Sequence, residues 1–272
     1  MQPHGEGMGH RVSLPSRACE SLNVTWLELE GACNVRDVGG LPTVDGRTTR
    51  PGVLLRGDNL QDLTPVDVAL LLGTGLGTVL DLRTSSEIEI LGPGPLQATP
   101  VPHLHQDLIP LGFEARDLVE RTIPADGVGA HAMDHHYLDY LRDAPQGIAA
   151  ALRTIADPRS GTVLVHCAAG KDRTGVVVAL ALSLVGVRRD EVVADYQLTD
   201  ERIERIRDRL LASPLYATSI AQRPLSAIRP HADNMERFLD RVDADYGGVH
   251  GLAMAIGVDE ETVARLGRRL LG

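Results

Sequence analysis

Thr162-Val163-Leu164-Val165-His166-Cys167-Ala168-Ala169-Gly170-Lys171-Asp172-Arg173-Thr174-Gly175, running on through Val176 to Val185, is the stretch whose reading decides the fold. Thr162–His166 is a bare apolar run, the kind of strand that lies buried inside a parallel sheet. Thr174–Val185 is apolar on nearly all sides and predicts a buried helix, with Gly186 as its stop. Between them stands a short polar loop. A strand feeding such a loop into a helix turns backbone N–H groups toward one point, and the helix N-terminus adds its positive dipole end. This geometry predicts an anion site before any side chain is counted.

The side chains fit that site. Cys167 stands at its rim, where the field that attracts an oxyanion also favours thiolate over thiol. A thiolate opens a covalent route. Arg173, six residues on, returns over the loop with a planar fork that matches two phosphate oxygens. The backbone of Ala168, Ala169, Gly170, Lys171, Asp172, Arg173 and Thr174 is expected to line the phosphate cradle, with Lys171 adding a second positive charge. The Thr174 hydroxyl is expected to hydrogen-bond the sulfur. Gly170 permits a tight turn, Gly175 lets the helix pack closely, and His166 is expected to sit behind the loop and bond to it. The alternative, a buried structural cysteine ahead of a helix with a surface arginine, leaves His166, Gly170, Thr174 and Gly175 unexplained.

Outward from the loop the chain alternates strands and helices. Strands are predicted at Val24–Leu29, Val53–Arg56, Thr78–Leu82 and Val101–His105. Thr64 and Pro65 open a helix as N-cap and first residue, running to Leu72, and Glu87–Leu91 reads as a helical turn. Residues 108–142 read as a lid-like insertion closing with a helix over Ala132–Arg142, and a further helix covers Gly147–Ala156. The last third is helical: Arg189–Tyr196, Asp200–Leu211, Ala232–Tyr246, Val249–Ala255 and Glu260–Leu270. The pattern predicts an α/β fold with a central, mostly parallel sheet flanked by helices and a helical C-terminal part. Residues 1–20, rich in Gly, His and Pro, read as a flexible arm, and 21–272 as one domain.

Of the 272 residues 43% are hydrophobic and 24% charged, with a net charge of −10. That balance argues against a nucleic-acid backbone as partner, since such binding rests on neutralised phosphates, and leaves room for a locally positive pocket. No apolar run approaches the roughly 20 residues that span a bilayer, and Met1–Glu20 lacks the roughly 7–15-residue apolar stretch expected of a secretory signal. A cytoplasmic setting is expected, with signal-less export left open. Three cysteines, Cys19, Cys33 and Cys167, give no disulfide framework. Cys33 reads as a half-buried structural thiol or as a redox partner of Cys167. His131, His135 and His136 lack a third ligand at a metal-site spacing and read as a solvated face. Arg202, Arg205, Arg207 and Arg209, interleaved with Glu and Asp, read as an exposed helix face with ion pairs.

The loop H-C-x-x-G-K-D-R-T-G resembles that of the cysteine-dependent tyrosine and dual-specificity phosphatases, and more narrowly the bacterial tyrosine phosphatase B group. Asn34–Gly40 (NVRDVGG), Asp81-Leu82-Arg83, Val193-Ala194-Asp195-Tyr196 and the closing Leu270-Leu271-Gly272 are similar to that group too. The resemblance runs from about residue 24 to the end. It implies hydrolysis of phosphotyrosine in proteins through a phosphocysteine, with no metal and no cofactor. It extends to phosphoserine, phosphothreonine or phosphoinositides, and Lys171 resembles the loop lysine of lipid-directed members. An aspartate is needed as general acid. Asp107 follows the Val101–His105 strand, where the superfamily's mobile acid loop begins, and is the first choice. Asp172, inside the loop, is the second, and Asp81 is more readily a structural partner of Arg83 or Arg56. A silent phosphate-binding module and a sulfur-transfer protein are the readings from other classes.

Overall fold

The computed structural model describes residues 25–109 and 132–272. Its centre is a five-stranded sheet of β1 (Arg36–Asp37), β2 (Leu54–Gly57), β3 (Leu76–Asp81), β4 (His103–His105) and β5 (Thr162–His166). The order across the sheet is β1-β2-β5-β3-β4. All neighbours are parallel except β1, which runs antiparallel to β2. The strand that carries Cys167 at its exit is therefore the middle one, flanked by Leu54–Gly57 and Leu76–Asp81.

Alternation along the strands divides two cores. Leu54, Leu80, Val163 and Val165 face one side, and Leu55, Val79 and Leu164 face the other, as the period of two requires. The second face is covered by α1 (Pro65–Gly73), whose N-cap Thr64 closes a capping box with Asp67. α2 (Ser85–Leu91) follows β3 and starts on a second capping box, Thr84 with Glu87. The first face is covered by α3 (Ala132–Asp143), α4 (Pro145–Ala156) and the apolar α5 (Asp172–Leu184), buried from Arg173 to Leu182. α6 (Arg189–Gln197), α10 (Ala232–Tyr246), α11 (Val249–Ala255) and α12 (Glu260–Leu270) complete this layer. Among the described residues no helix is long and apolar enough to cross a membrane.

Several boundaries differ from the sequence reading. Trp26 makes only an isolated bridge to Arg36 in place of a Val24–Leu29 strand, because its ring is held between the guanidiniums of Arg36 and Arg202. The helix after Cys167 begins at Asp172 rather than Thr174, so Asp172 and Arg173 belong to its first turn. Beyond α6 the predicted helix forms as α7 (Ile203–Ala212), followed by two short helices that the sequence reading did not predict, α8 (Ala217–Ala221) and α9 (Leu225–Ile228). Ile203, Ile206, Leu210, Tyr216, Ile220 and Ile228 from these helices pack with Cys33 and Ala168. The roof over the Cys167 loop thus comes from residues 203–228. Most of the predicted lid, residues 110–131, lies outside the described residues.

Candidate active site

The loop is held by its carbonyls. Ala168 O accepts from Asn59 N at 3.2 Å, Ala169 O from Asn34 Nδ2 at 2.9 Å, and Gly170 O from Arg56 Nη2 at 2.8 Å. Three successive carbonyls point outward into the scaffold. No described residue accepts a hydrogen bond from the N–H groups of residues 168–174, and α5 starts without a side-chain cap. Those donors, with the positive end of the α5 dipole, are left for an anion beside Cys167. Gly170 takes φ +66°, and a Cβ there would come within 2.6 Å of Gly57 O, so only glycine serves. At Gly175 a Cβ would lie 3.1 Å from the Tyr196 ring, the close packing expected of it.

Behind the loop lies a buried charge cluster. Arg36 and Arg56 are both fully buried and share one carboxylate, Asp195. Arg36 also donates to Asn34 Oδ1 at 2.7 Å, which orients that amide toward the loop. Burial, with Arg56 beside it, lowers Arg36 to about 10, so it stays cationic at neutral pH. Burial works against Asp195, yet Arg56 and Arg36 hold its carboxyl below the usual range. Two guanidiniums against one carboxylate leave a net positive charge behind the cradle, on a chain that is acidic as a whole. The NVRDVGG and VADY segments meet here. Sequence similarity singled them out, and the contacts supply their purpose.

Arg173 is gripped from behind. Nη1 and Nη2 donate to the two oxygens of Glu87 at 2.5 and 2.9 Å, and Nη1 also to Leu82 O at 3.2 Å. Glu87 is fully buried and accepts from Tyr216 Oη and from Thr84 N as well. Burial opposes its charge, but Arg173 and these donors keep it ionised. The fork that meets Glu87 leaves Nε–H and one Nη2–H for the pocket, which Arg173 lines beside Cys167.

The two aspartate candidates separate. Asp172 lines the Cys167 pocket. Tyr137 Oη donates to its Oδ1 at 2.7 Å, and Tyr137 is braced in turn by Tyr196. Asp107 is absent from that lining. Its carboxylate accepts from Ser85 N and Ile109 N, tying the start of α2 to the segment after β4. Burial nevertheless raises its pKa. The structure therefore places Asp172 on the Cys167 pocket, and Asp107, the first choice made from chain order, outside its lining. Asp81 forks onto Arg83 at 2.6–3.0 Å, with no bond to Arg56.

Other expectations need correction. The Thr174 hydroxyl is buried and makes no hydrogen bond to the Cys167 sulfur or to any other described group. His166 sits behind the loop as expected, against the Cys167 backbone, with Nε2 3.6 Å from an Asp81 oxygen. Burial lowers it to about 4, so it is neutral at physiological pH. Lys171 is buried, its Nζ donating to Ile228 O at 2.7 Å and lying 3.5 Å from Asp172 Oδ1. Cys33 and Cys167 are both free thiols. Cys33 is buried rather than half-buried, and burial, with Asp58 accepting from its Sγ, pushes its pKa far up. His136 is buried against Tyr140, and His131 lies outside the described residues, as does the side chain of His135. Arg202, Arg205 and Arg209 pair with Glu28, Asp58 and Asp62 of distant segments rather than along their own helix. Among the described residues no group of three or more His, Cys, Asp or Glu is arranged to hold a metal.

Glu87, Asn59 and Tyr137 were missed by the sequence reading, and Asn34 was singled out only as part of the NVRDVGG segment. A family model described as "Tyrosine phosphatase family" matches residues 27–272. The triple specificity protein phosphatase PtpB of Mycobacterium tuberculosis is 30% identical over 276 residues, covering 90% of this chain and 99% of its own. A tyrosine-protein phosphatase of Nostoc commune is 30% identical over 222 residues, 79% of this chain and 73% of its own. An anion cradle opening on a cysteine at the end of the central strand, and a match that runs through the whole described core, lead to one statement: this chain belongs to the tyrosine phosphatase family.

Proposed function

We propose that the protein hydrolyses phosphate monoesters, chiefly phosphotyrosine in proteins, through a phosphocysteine on Cys167. The observation that carries this reading is the outward anchoring of the Ala168, Ala169 and Gly170 carbonyls, which frees a ring of N–H donors around the sulfur.

In the first step Sγ attacks phosphorus and the bond to the leaving oxygen breaks. The equatorial oxygens, which carry charge in the transition state, meet the loop N–H groups and the free edge of Arg173. Asp172 gives its proton to the leaving oxygen. In the second step water attacks the phosphocysteine, Asp172 takes the water's proton, and phosphate and thiolate separate. One carboxyl thus serves as acid and then as base. The enclosed space beside Cys167 is about 110 Å³, small against the 300–1,000 Å³ of ordinary ligand sites. It suits a phosphoryl group beneath the 203–228 roof.

Lys171 in the pocket favours a second reading, in which the substrate carries further negative charge, as phosphoinositides do. The name of the mycobacterial relative supports including phosphoserine and phosphothreonine. Turnover should be compared on a phosphotyrosine peptide, a phosphothreonine peptide and a soluble phosphoinositide, with chelator present. A kcat/KM on phosphotyrosine at least about tenfold above the others is expected. A phosphoinositide preference would replace the first reading with the second. Binding without turnover would leave a silent phosphate-binding module.

A further inference from the structure

At the pole opposite the Cys167 loop, a cleft of about 440 Å³ is lined by Arg50, Arg265, Arg268 and Arg269, with Val53 and Pro158 as apolar wall. It opens at the amino ends of β2 and β5. The loop lies past the carboxyl end of β5, about 16 Å of strand away for its five residues. The charges in the cleft are poorly balanced. One carboxylate, Glu261, serves both Arg265 at 3.8 Å and Arg268 at 2.8 Å. Arg269 spends its Nη groups on two backbone carbonyls, Asp157 O and Gly161 O, and its buried Nε–H has no acceptor. Arg50 makes no side-chain hydrogen bond or ion pair among the described residues. Nearby Asp157 is already forked by Arg159. Four guanidiniums line the cleft against Glu261, with Asp157 near Arg269 but already forked by Arg159, and with Asp259 near Arg265. On a chain of net charge −10 the concavity thus keeps an excess of positive charge.

We infer that this cleft is a second anion site, separate from the catalytic loop, which takes a compact small molecule bearing two or more phosphoryl charges. Guanidinium groups meet phosphoryl oxygens bidentately, and their charge is always present. Several charges are needed on the ligand because one anionic group would leave most of the cluster unpaired. The Val53 and Pro158 wall has room for an organic portion beside the phosphates. The ligand's occupancy is independent of substrate binding, since the two sites share no residue.

The test is calorimetric titration of tripolyphosphate into full-length protein whose catalytic loop is saturated with orthovanadate. One saturable site is expected to remain. The double variant Arg50→Ala/Arg268→Ala should weaken it about tenfold, as for loss of charge-assisted bonds. Glu261→Gln should tighten it, a gain that misfolding cannot mimic. Both variants should keep kcat/KM on para-nitrophenyl phosphate within about twofold of wild type. Parallel titrations with a nucleoside triphosphate and with inositol hexakisphosphate identify the source of the phosphates, and a preference for either supports the site. Absence of saturable binding with the loop blocked would overturn the proposal, as would one affinity shared by wild type and all variants.

Discussion

Asp172 and Asp107 differ by what holds them. Asp172 has a hydroxyl partner and an edge on the pocket, whereas Asp107 has two backbone donors and a bracing position between segments. Asp172→Asn keeps the bond to Tyr137 and removes the transferable proton. It should lower kcat on a phosphotyrosine peptide by roughly 10²–10⁴-fold. Asp107→Asn should change kcat by less than about tenfold and show mainly as lost stability. The reverse ranking would return the acid role to Asp107. Asn34→Ala frees Ala169 O from its anchor while touching no reacting atom. The expected sign is a vanadate inhibition constant raised about three- to tenfold, the worth of one neutral hydrogen bond.

At the scale of elements, α2 carries Glu87 on its first turn and sets Arg173 from outside the loop. Glu87→Gln keeps the shape and removes the charge, leaving the Arg173 guanidinium buried without a counter-ion. Unfolding free energy should fall by ~3 kcal/mol, the lower range for breaking a buried pair. Vanadate should then raise the thermal midpoint more in the variant than in the wild type, because the bound anion supplies the missing charge. Equal shifts would mean that Glu87 does not govern the charge at Arg173. The loop was legible in the sequence because six informative residues stand together between a buried strand and a buried helix. Glu87 and Asn34 reach it across 86 and 135 residues, and Asp195 pairs with Arg56 behind it across 139, and no local spacing carries such contacts. The roof was illegible for a related reason. Its apolar residues fall on short helices broken at Ser213-Pro214 and Pro224, and its arginines pair with Glu28, Asp58 and Asp62 far back in the chain.

For the whole molecule, the sheet puts buried polar groups directly under the Cys167 loop, and this shapes the response to acid. His166 has its pKa lowered from 6.5 to about 4 by burial. The unfolded chain therefore binds a proton that the folded chain refuses between those values. Stability from this group is fully present above pH 6.5 and is lost as pH falls toward 4, by ~3 kcal/mol at about 1.4 kcal/mol per unit. Urea unfolding at pH 7 and pH 4.5 should show this loss, and His166→Asn should reduce the difference between the two. An unchanged pH dependence in the variant would mean that other groups drive acid unfolding. The alternation of strands with helices, and the buried strand before Cys167, were enough to expect the parallel sheet. β1, two residues long, and the bridge at Trp26 depend on partners elsewhere, which is why the first strand was drawn in the wrong place.

The central claim is that phosphoryl transfer passes through Cys167. The most direct test is to mix the protein with a radiolabelled phosphotyrosine peptide, quench in acid within the first turnover, and map the label. The account predicts acid-stable label on the peptide that contains Cys167, and neither label nor turnover in Cys167→Ser. Turnover by Cys167→Ser, or label recovered on any other residue, would contradict it.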